Sequence, residues 1–298
     1  MKSRKPFPFH VIVFLAPATL VYTAFMIYPL LDSLRLSMYA PGAERVEAFV
    51  GLANYQRLVS DPNWAPFLWN AIRNNFLFFA VHMLVQNPLG LLLAALLSSQ
   101  VVRFRALFRT VLFLPTVLSI VLVGFIWRLI LSPIWGISKD FLGLFGAAHL
   151  NQPWLGLEAT ALVTLSLISV WQWVGIPMLL FLAALVGIPD ELIEAALLDG
   201  ATMWQTLRRV VLPAARPGIV ATAVLAYLLV WNDFFFALVI TRSDTVTAPV
   251  AIMNFVSYAS VDWGSIAIAS IVLTLPTVPV IVFANKYIVQ SMGGAVKG

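Results

Sequence analysis

The stretch 187–213 reads GIPDELIEAALLDGATMWQTLRRVVLP and separates two long apolar blocks of the chain. It is too polar to cross a membrane, and its apolar residues repeat at helical spacing. Asp190 is the predicted N-cap of a first helix, and Glu191 falls in the first turn, where the helix dipole favours an acid. Gly200 is predicted to end this helix in the left-handed conformation that suits glycine. The segment therefore starts with a short helix and a tight turn.

A second short helix is predicted after the glycine turn. Thr202 and Gln205 have the three-residue spacing of a capping box, and Pro213 is expected to end the helix. The charged residues of the segment would also fit a plain solvated face. Two packed helices are nevertheless more organised than a connection between apolar blocks requires. We therefore interpret the segment as a docking surface for a soluble partner protein.

The composition of the whole chain excludes a water-soluble protein. Of the 298 residues, 61% are hydrophobic and only 10% are charged. An ordinary soluble domain has about 45–50% apolar and about 25% charged residues. The 21 Phe, 10 Trp and 7 Tyr residues exclude a disordered chain, and the absence of Cys excludes disulfides and thiolate metal sites. The chain is therefore predicted to be an integral membrane protein.

Six apolar stretches are each long enough to cross a bilayer as a helix, which takes about 20 residues. They cover residues 7–31, 71–97, 107–131, 159–186, 218–241 and 265–289. The first apolar run extends to residue 31, which favours an uncleaved first span over a signal peptide. Basic residues are denser on the side of the N-terminus, so the positive-inside rule predicts that both termini are cytoplasmic.

These stretches leave no room for a second domain. We predict a single transmembrane domain over residues 1–298, with a cytoplasmic loop at 188–213 and an irregular extracytoplasmic loop at 39–70. The predicted fold class is an all-α membrane protein with six transmembrane helices. The net charge of +5 is assigned to membrane topology and not to nucleic acid binding, because the basic residues lie between apolar blocks.

Catalytic motifs are absent from the sequence. The Gly-Lys dipeptide of a phosphate-binding loop does not occur, and neither does an H-E-x-x-H or a G-x-S-x-G motif. The three histidines, His10, His82 and His149, are scattered over a terminus, a span and a loop. We therefore predict that the chain is not an enzyme and that it holds no metal ion.

Polar residues inside the apolar spans are costly and tend to face a cavity or another helix. The residues predicted to line a substrate pathway are Trp171, Gln172, Trp231, Asn232 and Asp233. Amide and carboxylate groups beside indole rings suit a sugar, because hydroxyls take the hydrogen bonds and the apolar sugar face stacks on Trp. The alternative is hydrogen bonding between helices.

For Gln86 and Asn87 in the second span, that alternative is the stronger interpretation. The polar residues there are His82, Gln86 and Asn87.

The segment 187–213 resembles the EAA signature of the permease subunits of binding-protein-dependent ABC importers. The resemblance is carried by Glu194-Ala195-Ala196, Asp199-Gly200-Ala201 and Leu212-Pro213. It implies that the segment holds a short coupling helix that docks into a cleft of the ATPase subunit. The coupling positions implied in this way are Glu194, Ala195, Ala196, Asp199, Gly200 and Pro213.

The similarity extends over nearly the whole chain, to the carbohydrate-uptake branch of the maltose and glycerol-3-phosphate type. It is carried further by Gly51-Leu52-Ala53-Asn54-Tyr55, by Phe108-Arg109 through Leu114-Pro115 and by Trp231-Asn232-Asp233-Phe234. The resemblance implies a type I importer permease (MetI-like) fold with six transmembrane helices in a prokaryotic cell (inner) membrane. The front half resembles one of the two paired permease types, whereas the tail at 294–298 resembles the other, so the position in the pair stays open.

The partners implied by this resemblance are a second permease subunit, an ATPase dimer and an extracytoplasmic sugar-binding protein. A heterodimer of permeases is the first expectation, and a homodimer remains an alternative. ATP and Mg²⁺ would be bound by the ATPase, so no cofactor is expected in this chain. Membrane lipids are expected to surround it, and nucleic acid is not an expected partner.

Two rival functions remain open. A permease for another solute, such as glycerol-3-phosphate, sulfate or a polyamine, would need basic residues or clustered carboxylates along the pore, whereas Asp233 is the main acid within the spans. A secondary transporter would usually show inverted repeats and buried acids for ion coupling. The only internal echo is LFRTVLFLP at residue 107 against LRRVVLP at residue 207, which is too short for a repeat.

Overall fold

A computed structural model of the chain describes residues 9–40, 48–62, 64–98, 102–241, 245–255 and 263–285. The tail pattern at 294–298, the outermost residues of the first and sixth predicted spans, and parts of the predicted outer loop lie outside these residues. The chain divides into two compact units. One unit consists of Met1–Pro66 and Ile252–Thr274, and the other of Phe67–Ala251 and Leu275–Gly298.

Regular structure in the described residues is helical, apart from one isolated antiparallel bridge between Tyr39 and Phe49. The helices in chain order are α1 (Val11–Leu36), α2 (Ala53–Ser60), α3 (Ala65–Ser98), α4 (Arg105–Val117), α5 (Ile120–Ile130), α6 (Ser138–Gly143), α7 (Glu158–Trp173), α8 (Gly175–Val186), α9 (Asp190–Leu198), α10 (Trp204–Trp231), α11 (Phe235–Ile240), α12 (Ala248–Ala251) and α13 (Trp263–Asn285).

Four of these helices, α1, α3, α10 and α13, are each long and apolar enough to cross a membrane. Two pairs meet the same condition together, α4 with α5 and α7 with α8, but the pairs are bent by 94° and 49°. Every predicted span therefore overlaps a helical segment, and the prediction of an all-α fold is confirmed for the described residues. The prediction that the fifth span is one helix over 218–241 is wrong, because α10 begins at Trp204 and ends at Trp231.

Three of the long helices contain a five-residue π turn, and a proline follows each turn at the same distance. The turns are Thr23–Ile27, His82–Gln86 and Leu207–Val211, and the prolines are Pro29, Pro88 and Pro213. Proline has no N–H to donate, and its ring crowds the carbonyl group four residues earlier. A π turn widens the helix there, and the residue before the proline donates five residues back, as Leu212 does to Leu207.

The π turn explains why one predicted helix end is wrong. Pro213 does not end the second helix of the stretch 187–213, because the wider turn accommodates its ring and the helix continues as α10. Pro217 also lies inside this helix. A single helix therefore runs from the polar stretch into the apolar part of the chain.

The 94° bend between α4 and α5 lies at Leu118 and Ser119, both of which have an extended ψ angle. Pro115 lies in the 3₁₀ turn just before the bend. The break leaves the carbonyl oxygen of Leu118 without a helical donor, and the side-chain amide of Gln172 donates to it at 3.1 Å. A side chain of α7 therefore supplies the bond that the broken helix lacks.

The predicted outer loop contains more regular structure than expected. Helix α2 lies within it, and the buried Asn54 side chain donates to the carbonyl oxygens of Ser37 and Tyr39. The hydroxyl groups of Ser37 and Tyr55 are 2.7 Å apart. The Asn54-Tyr55 pair thus fastens α2 to the residues that follow α1.

The second unit has an apolar core in which helices cross closely. Phe78, Leu165 and Phe236 are almost fully buried at its centre. At one crossing, a Cβ atom added to Gly175 would lie 2.9 Å from the carbonyl oxygen of Leu112 and 2.9 Å from the Cα atom of Phe113. Because both are backbone atoms, only glycine allows α8 to approach α4 at this position.

We predict that Gly175→Ala lowers the stability of the purified chain by about 1–3 kcal/mol, because α4 and α8 must move apart. Thermal melting in detergent should show a fall of several degrees. Gly187→Ala is the matched control, since its added Cβ would lie 3.5 Å or more from its neighbours. Equal melting temperatures for the two variants would contradict this packing.

Candidate functional site

The polar stretch 187–213 begins with helix α9. Its N-cap is Pro189 in an extended conformation, with φ −60° and ψ 133°. The prediction that Asp190 is the N-cap is therefore wrong, because the fixed φ of proline suits the extended N-cap and Asp190 is already the first residue of the helix. Asp190 and Glu191 both lie in the first turn, where they face the positive end of the helix dipole.

Helix α9 ends in a turn that is fully hydrogen bonded. Gly200 has φ +81°, its N–H donates to Leu197, and the N–H of Ala201 donates to Ala196, each at 3.0 Å. These two bonds form a Schellman motif, and the prediction of a left-handed Gly200 is confirmed. In the predicted capping box, the N–H of Thr202 donates to Gln205 Oε1 at 2.8 Å and the N–H of Gln205 donates to Thr202 Oγ1 at 3.3 Å.

Most of the surface of α9 is exposed, and only Ile193 and Ala196 are half-buried. None of its residues is buried, and Glu194 and Ala195 are open to solvent. The side chain of Leu198 is 87% exposed, and Trp204 just after the turn is 66% exposed. The Schellman turn fixes the C-terminal end of this helix, which presents acidic and apolar side chains outward.

The second feature is an open cavity of about 320 Å³ lined by α3, α7, α8 and α10, by Ile120 at the start of α5 and by the residues that follow α10. Its wall is mostly apolar. The polar residues that line it are His82, Gln86, Ser169, Thr222, Asn232 and Asp233. No Lys or Arg is among the described residues of the wall.

His82 is buried in this wall and bonded on both ring nitrogens. Its Nδ1 lies 2.8 Å from the carbonyl oxygen of Phe78, and its Nε2 lies 3.0 Å from Ser169 Oγ. A carbonyl oxygen only accepts, so Nδ1 carries the proton and Nε2 accepts from the serine hydroxyl. Gln86, one turn further along α3, donates to the carbonyl oxygen of Trp173 at 3.0 Å. Its Oε1 is buried without a partner.

Two of the predicted pathway residues line the cavity. Asn232 is exposed, and its amide donates to the carbonyl oxygen of Leu228 at 2.8 Å. Asp233 Oδ1 accepts a hydrogen bond from the N–H of Phe236 at 3.2 Å and so caps the short helix α11. Both residues follow the end of α10, where the chain turns away from the helix axis.

The other three predicted pathway residues lie elsewhere. Gln172 is completely buried and bonded to Leu118, and Trp231 is buried against the rings of Tyr227 and Phe76. Trp171 packs edge-on against Trp127, and both line a separate apolar cavity of about 730 Å³. The predicted set is therefore divided between the polar cavity, the helix packing and an apolar groove.

Ser169, Thr222 and Trp173 also line the polar cavity, and none of them is among the predicted pathway residues. His82 and Gln86 are both predicted as polar residues of the second span, and Gln86 is interpreted there as a contact between helices. Their spacing of four residues, which places both on one face of α3, was the signal for a shared surface. Among the described residues, no group of three or more His, Asp or Glu side chains is placed to hold a metal ion.

We predict that Gln172→Ala costs about 1–3 kcal/mol of stability, because the carbonyl group of Leu118 loses its only side-chain donor. Asn232→Ala should change stability by less than about 0.5 kcal/mol, since this residue is exposed and bonds only within its own helix end. Thermal melting of the two purified variants compares them directly. A greater loss for Asn232→Ala would contradict these roles.

A comparison with protein families finds one match. The profile of the family described as "Binding-protein-dependent transport system inner membrane component" matches residues 86–293. This region contains α9, the capped turn and most of the polar cavity, whereas Phe78 and His82 of the cavity wall precede it.

Individual relatives agree with this match. The probable ABC transporter permease protein YurN of Bacillus subtilis (strain 168) is 35% identical, over 68% of this chain and 69% of its own length. The lactose transport system permease protein LacF of Rhizobium radiobacter is 34% identical, over 71% of this chain and 69% of its own.

The fold matches that of a solved transporter. A chain in the crystal structure of a bacterial alginate ABC transporter, in complex with an alginate pentasaccharide-bound periplasmic protein, aligns with a TM-score of 0.78. The alignment covers 93% of each chain at 21% sequence identity. The all-α fold described above is therefore that of an ABC transporter permease. The chain belongs to the family of inner membrane components of binding-protein-dependent transport systems.

Proposed function

We propose that the chain is the translocation subunit of an ATP-driven importer for a neutral sugar or oligosaccharide. The family supports import coupled to a binding protein, and the lactose permease of Rhizobium radiobacter supports a sugar as the solute. The observation that carries the proposal is the exposed helix α9, whose C-terminal end is fixed by a hydrogen-bonded Schellman turn. A multi-pass membrane protein has little reason to order such a helix unless a partner binds it.

In this proposal α9 docks into the ATPase subunit. Glu194, Ala195 and Ala196 lie on the helix, and Asp199 with Gly200 forms the turn that holds it. Pro213 acts differently, because it follows the π turn that lets α10 continue from the docking segment. The ATPase binds ATP with Mg²⁺ and hydrolyses the ATP, and this chain contributes no catalytic group.

The topology that fits this role has six crossings, with each bent pair counted as one. Both termini and α9 then lie in the cytoplasm, where Arg208 and Arg209 agree with the positive-inside rule. The segment with α2 faces the outside, where a solute-binding protein delivers substrate. A second permease subunit, in the first instance a different chain, completes the pathway in the inner membrane.

The coupling role predicts that Gly200→Val uncouples the transporter. A β-branched residue in the left-handed region costs roughly 1–2 kcal/mol and would shift α9, even though an added Cβ meets no neighbouring atom. In membranes that contain the complete transporter, solute uptake and substrate-stimulated ATP hydrolysis should fall severalfold, while the amount of inserted chain stays constant.

Gly200→Asn is the matched control, because asparagine adopts the left-handed conformation more readily than other residues. It should keep most of the uptake. Normal uptake by Gly200→Val would contradict the coupling role of this turn.

The polar cavity is the part of the substrate pathway that this chain supplies. Its hydroxyl, amide and imidazole groups suit sugar hydroxyls, and the indole ring of Trp173 offers an apolar face. Asp233 is the only carboxylate in the described wall, and no cation balances it. A phosphate or sulfate would meet repulsion there, and a polyamine would find one acid where it needs several. The cavity therefore favours a neutral polyol.

Asn232→Ala and Asp233→Asn should each lower uptake of the neutral sugar, by up to about tenfold for each hydrogen bond lost to a substrate hydroxyl. Co-purification of the ATPase should stay unchanged, because both residues are remote in sequence from α9. Thr241→Val serves as the control, since its hydroxyl bonds to its own helix and does not line the cavity. Loss of ATPase co-purification together with uptake would contradict a direct role in the pathway.

A further inference from the structure

The connection between α3 and α4 contains a strained and exposed aromatic residue. Phe104 has φ 59° and ψ 34°, and it is the one non-glycine residue with a positive φ in the described parts of the chain. Its carbonyl oxygen accepts the first bond of the helix that follows, from the N–H of Phe108 at 3.1 Å. The ring itself is 71% exposed. The chain therefore holds Phe104 in an unfavourable conformation without burying its side chain.

Positive charge surrounds this ring. Arg103 is exposed, and its guanidinium carbon lies 5.9 Å from the centroid of the Phe104 ring. Arg105 follows directly and is partly exposed. The sequence contains no Asp or Glu from residue 102 to residue 117. The one ion pair among the described residues joins Asp32 to Arg35, so these two arginines have no acidic partner there.

The helix that begins here leaves an apolar face uncovered. Its first nine residues, Arg105–Phe113, include no buried residue, and Leu107, Phe108 and Val111 are about half exposed or more. Arg109 points the other way and donates to the carbonyl oxygen of Leu97, which ties the helix to the end of α3. We call Arg103, Phe104, Arg105, Leu107 and Phe108 the basic aromatic patch.

The position of this patch in the chain identifies its surroundings. Helix α3 is long and apolar enough to cross the membrane and ends at Ser98, and the next membrane-length pair begins at Arg105. A connection between two consecutive spans lies at a membrane surface, on whichever side the chain turns. Two cations with no acid nearby match anionic headgroups, and aromatic and aliphatic side chains match the boundary below the headgroups.

We propose that the basic aromatic patch is a binding site for anionic phospholipid. Arg103 and Arg105 hold the phosphate oxygens of the headgroup. Phe104, Leu107 and Phe108 lie in the acyl boundary, and the left-handed backbone of Phe104 aims its ring there. Contacts between the Phe104 ring and the lipid offset the cost of its left-handed backbone, which packing within the chain does not offset. The proposal needs the chain to lie in a membrane, and it is independent of the transported solute.

Because the chain has no cysteine, a single introduced cysteine can be labelled without labelling any other position. Ala106→Cys introduces a single thiol at an exposed position within the patch, and a fluorophore is attached to it. The labelled full-length chain is reconstituted into phosphatidylcholine vesicles that contain a minor fraction of phosphatidylglycerol. The spin-labelled quencher is carried in one sample by phosphatidylglycerol and in the other by phosphatidylcholine, in both leaflets.

We expect phosphatidylglycerol to quench the fluorophore several times more strongly than phosphatidylcholine, and this preference to weaken as salt is added. The double variant Arg103→Gln/Arg105→Gln should quench equally with both lipids. Arg208→Gln/Arg209→Gln removes the same charge from another exposed pair and should keep the preference. Equal quenching in the parent chain, or a preference that survives in Arg103→Gln/Arg105→Gln, would overturn the proposal. Protection of the fluorophore from both lipids in the complete transporter would also overturn it, since a partner protein would then cover the patch.

Phe104→Gly tests the strained residue separately. Glycine adopts this backbone conformation freely, so the melting temperature in neutral vesicles should stay equal or rise. The further rise that phosphatidylglycerol gives to the parent chain should become clearly smaller, because the ring is gone. An unchanged rise on addition of phosphatidylglycerol would show that Phe104 does not contact the lipid and would contradict its place in the site.

Discussion

A backbone carbonyl or amide group inside a bilayer must find its hydrogen-bond partner within the protein, because hydrocarbon offers none. This constraint is severe here, since several of the membrane-length helices contain prolines, which have no backbone N–H to donate. The chain meets it in two ways. Where the helix continues, a π turn accommodates the proline, as before Pro88 and Pro213. Where the helix breaks at Leu118, the buried amide of Gln172 supplies the missing donor.

The π turn before Pro213 also connects the two candidate functional features, which are α9 and the polar cavity. Because the π turn lets the helix pass Pro213, α10 runs without interruption from Trp204, next to the capped turn, to Trp231, next to Asn232 in the cavity wall. At 1.5 Å per residue this helix is about 42 Å long. Under the proposed function, an ATPase that moves α9 and its turn would act on one end of a stiff element whose other end forms part of the cavity. The coupling segment and the substrate pathway are then two ends of one helix.

Local patterns were predictable, and distant contacts were not. The left-handed Gly200 and the capping box of Thr202 and Gln205 depend on neighbouring residues, and both are present. The N-cap lies one residue earlier than predicted, because the extended Pro189 takes that position. Gln172 was recognised as an unusual polar residue in a span. Its partner lies 54 positions earlier in the chain, at a bend that no local pattern locates.

The wall of the polar cavity was also predictable only in part from the sequence. Asn232 and Asp233 could be found because polar residues in an apolar span stand out, but Ser169 is an ordinary helix residue until the fold brings it to His82, 87 positions away. The indole ring in the wall belongs to Trp173, and the predicted Trp171 lies on another face of the same helix. Two residues along a helix turn a side chain by about 200°, so the choice between neighbouring tryptophans depends on helix packing, which the sequence does not display.

The central claim is that this chain moves its solute only when an ATPase acts on α9. The most direct test measures uptake of labelled sugar into liposomes that contain either this chain alone or the chain with its partner permease, ATPase and binding protein. The account predicts no accumulation by the chain alone, with or without an ion gradient, and ATP-dependent accumulation by the full assembly. Accumulation by the chain alone under an ion gradient would contradict it and would identify a secondary transporter.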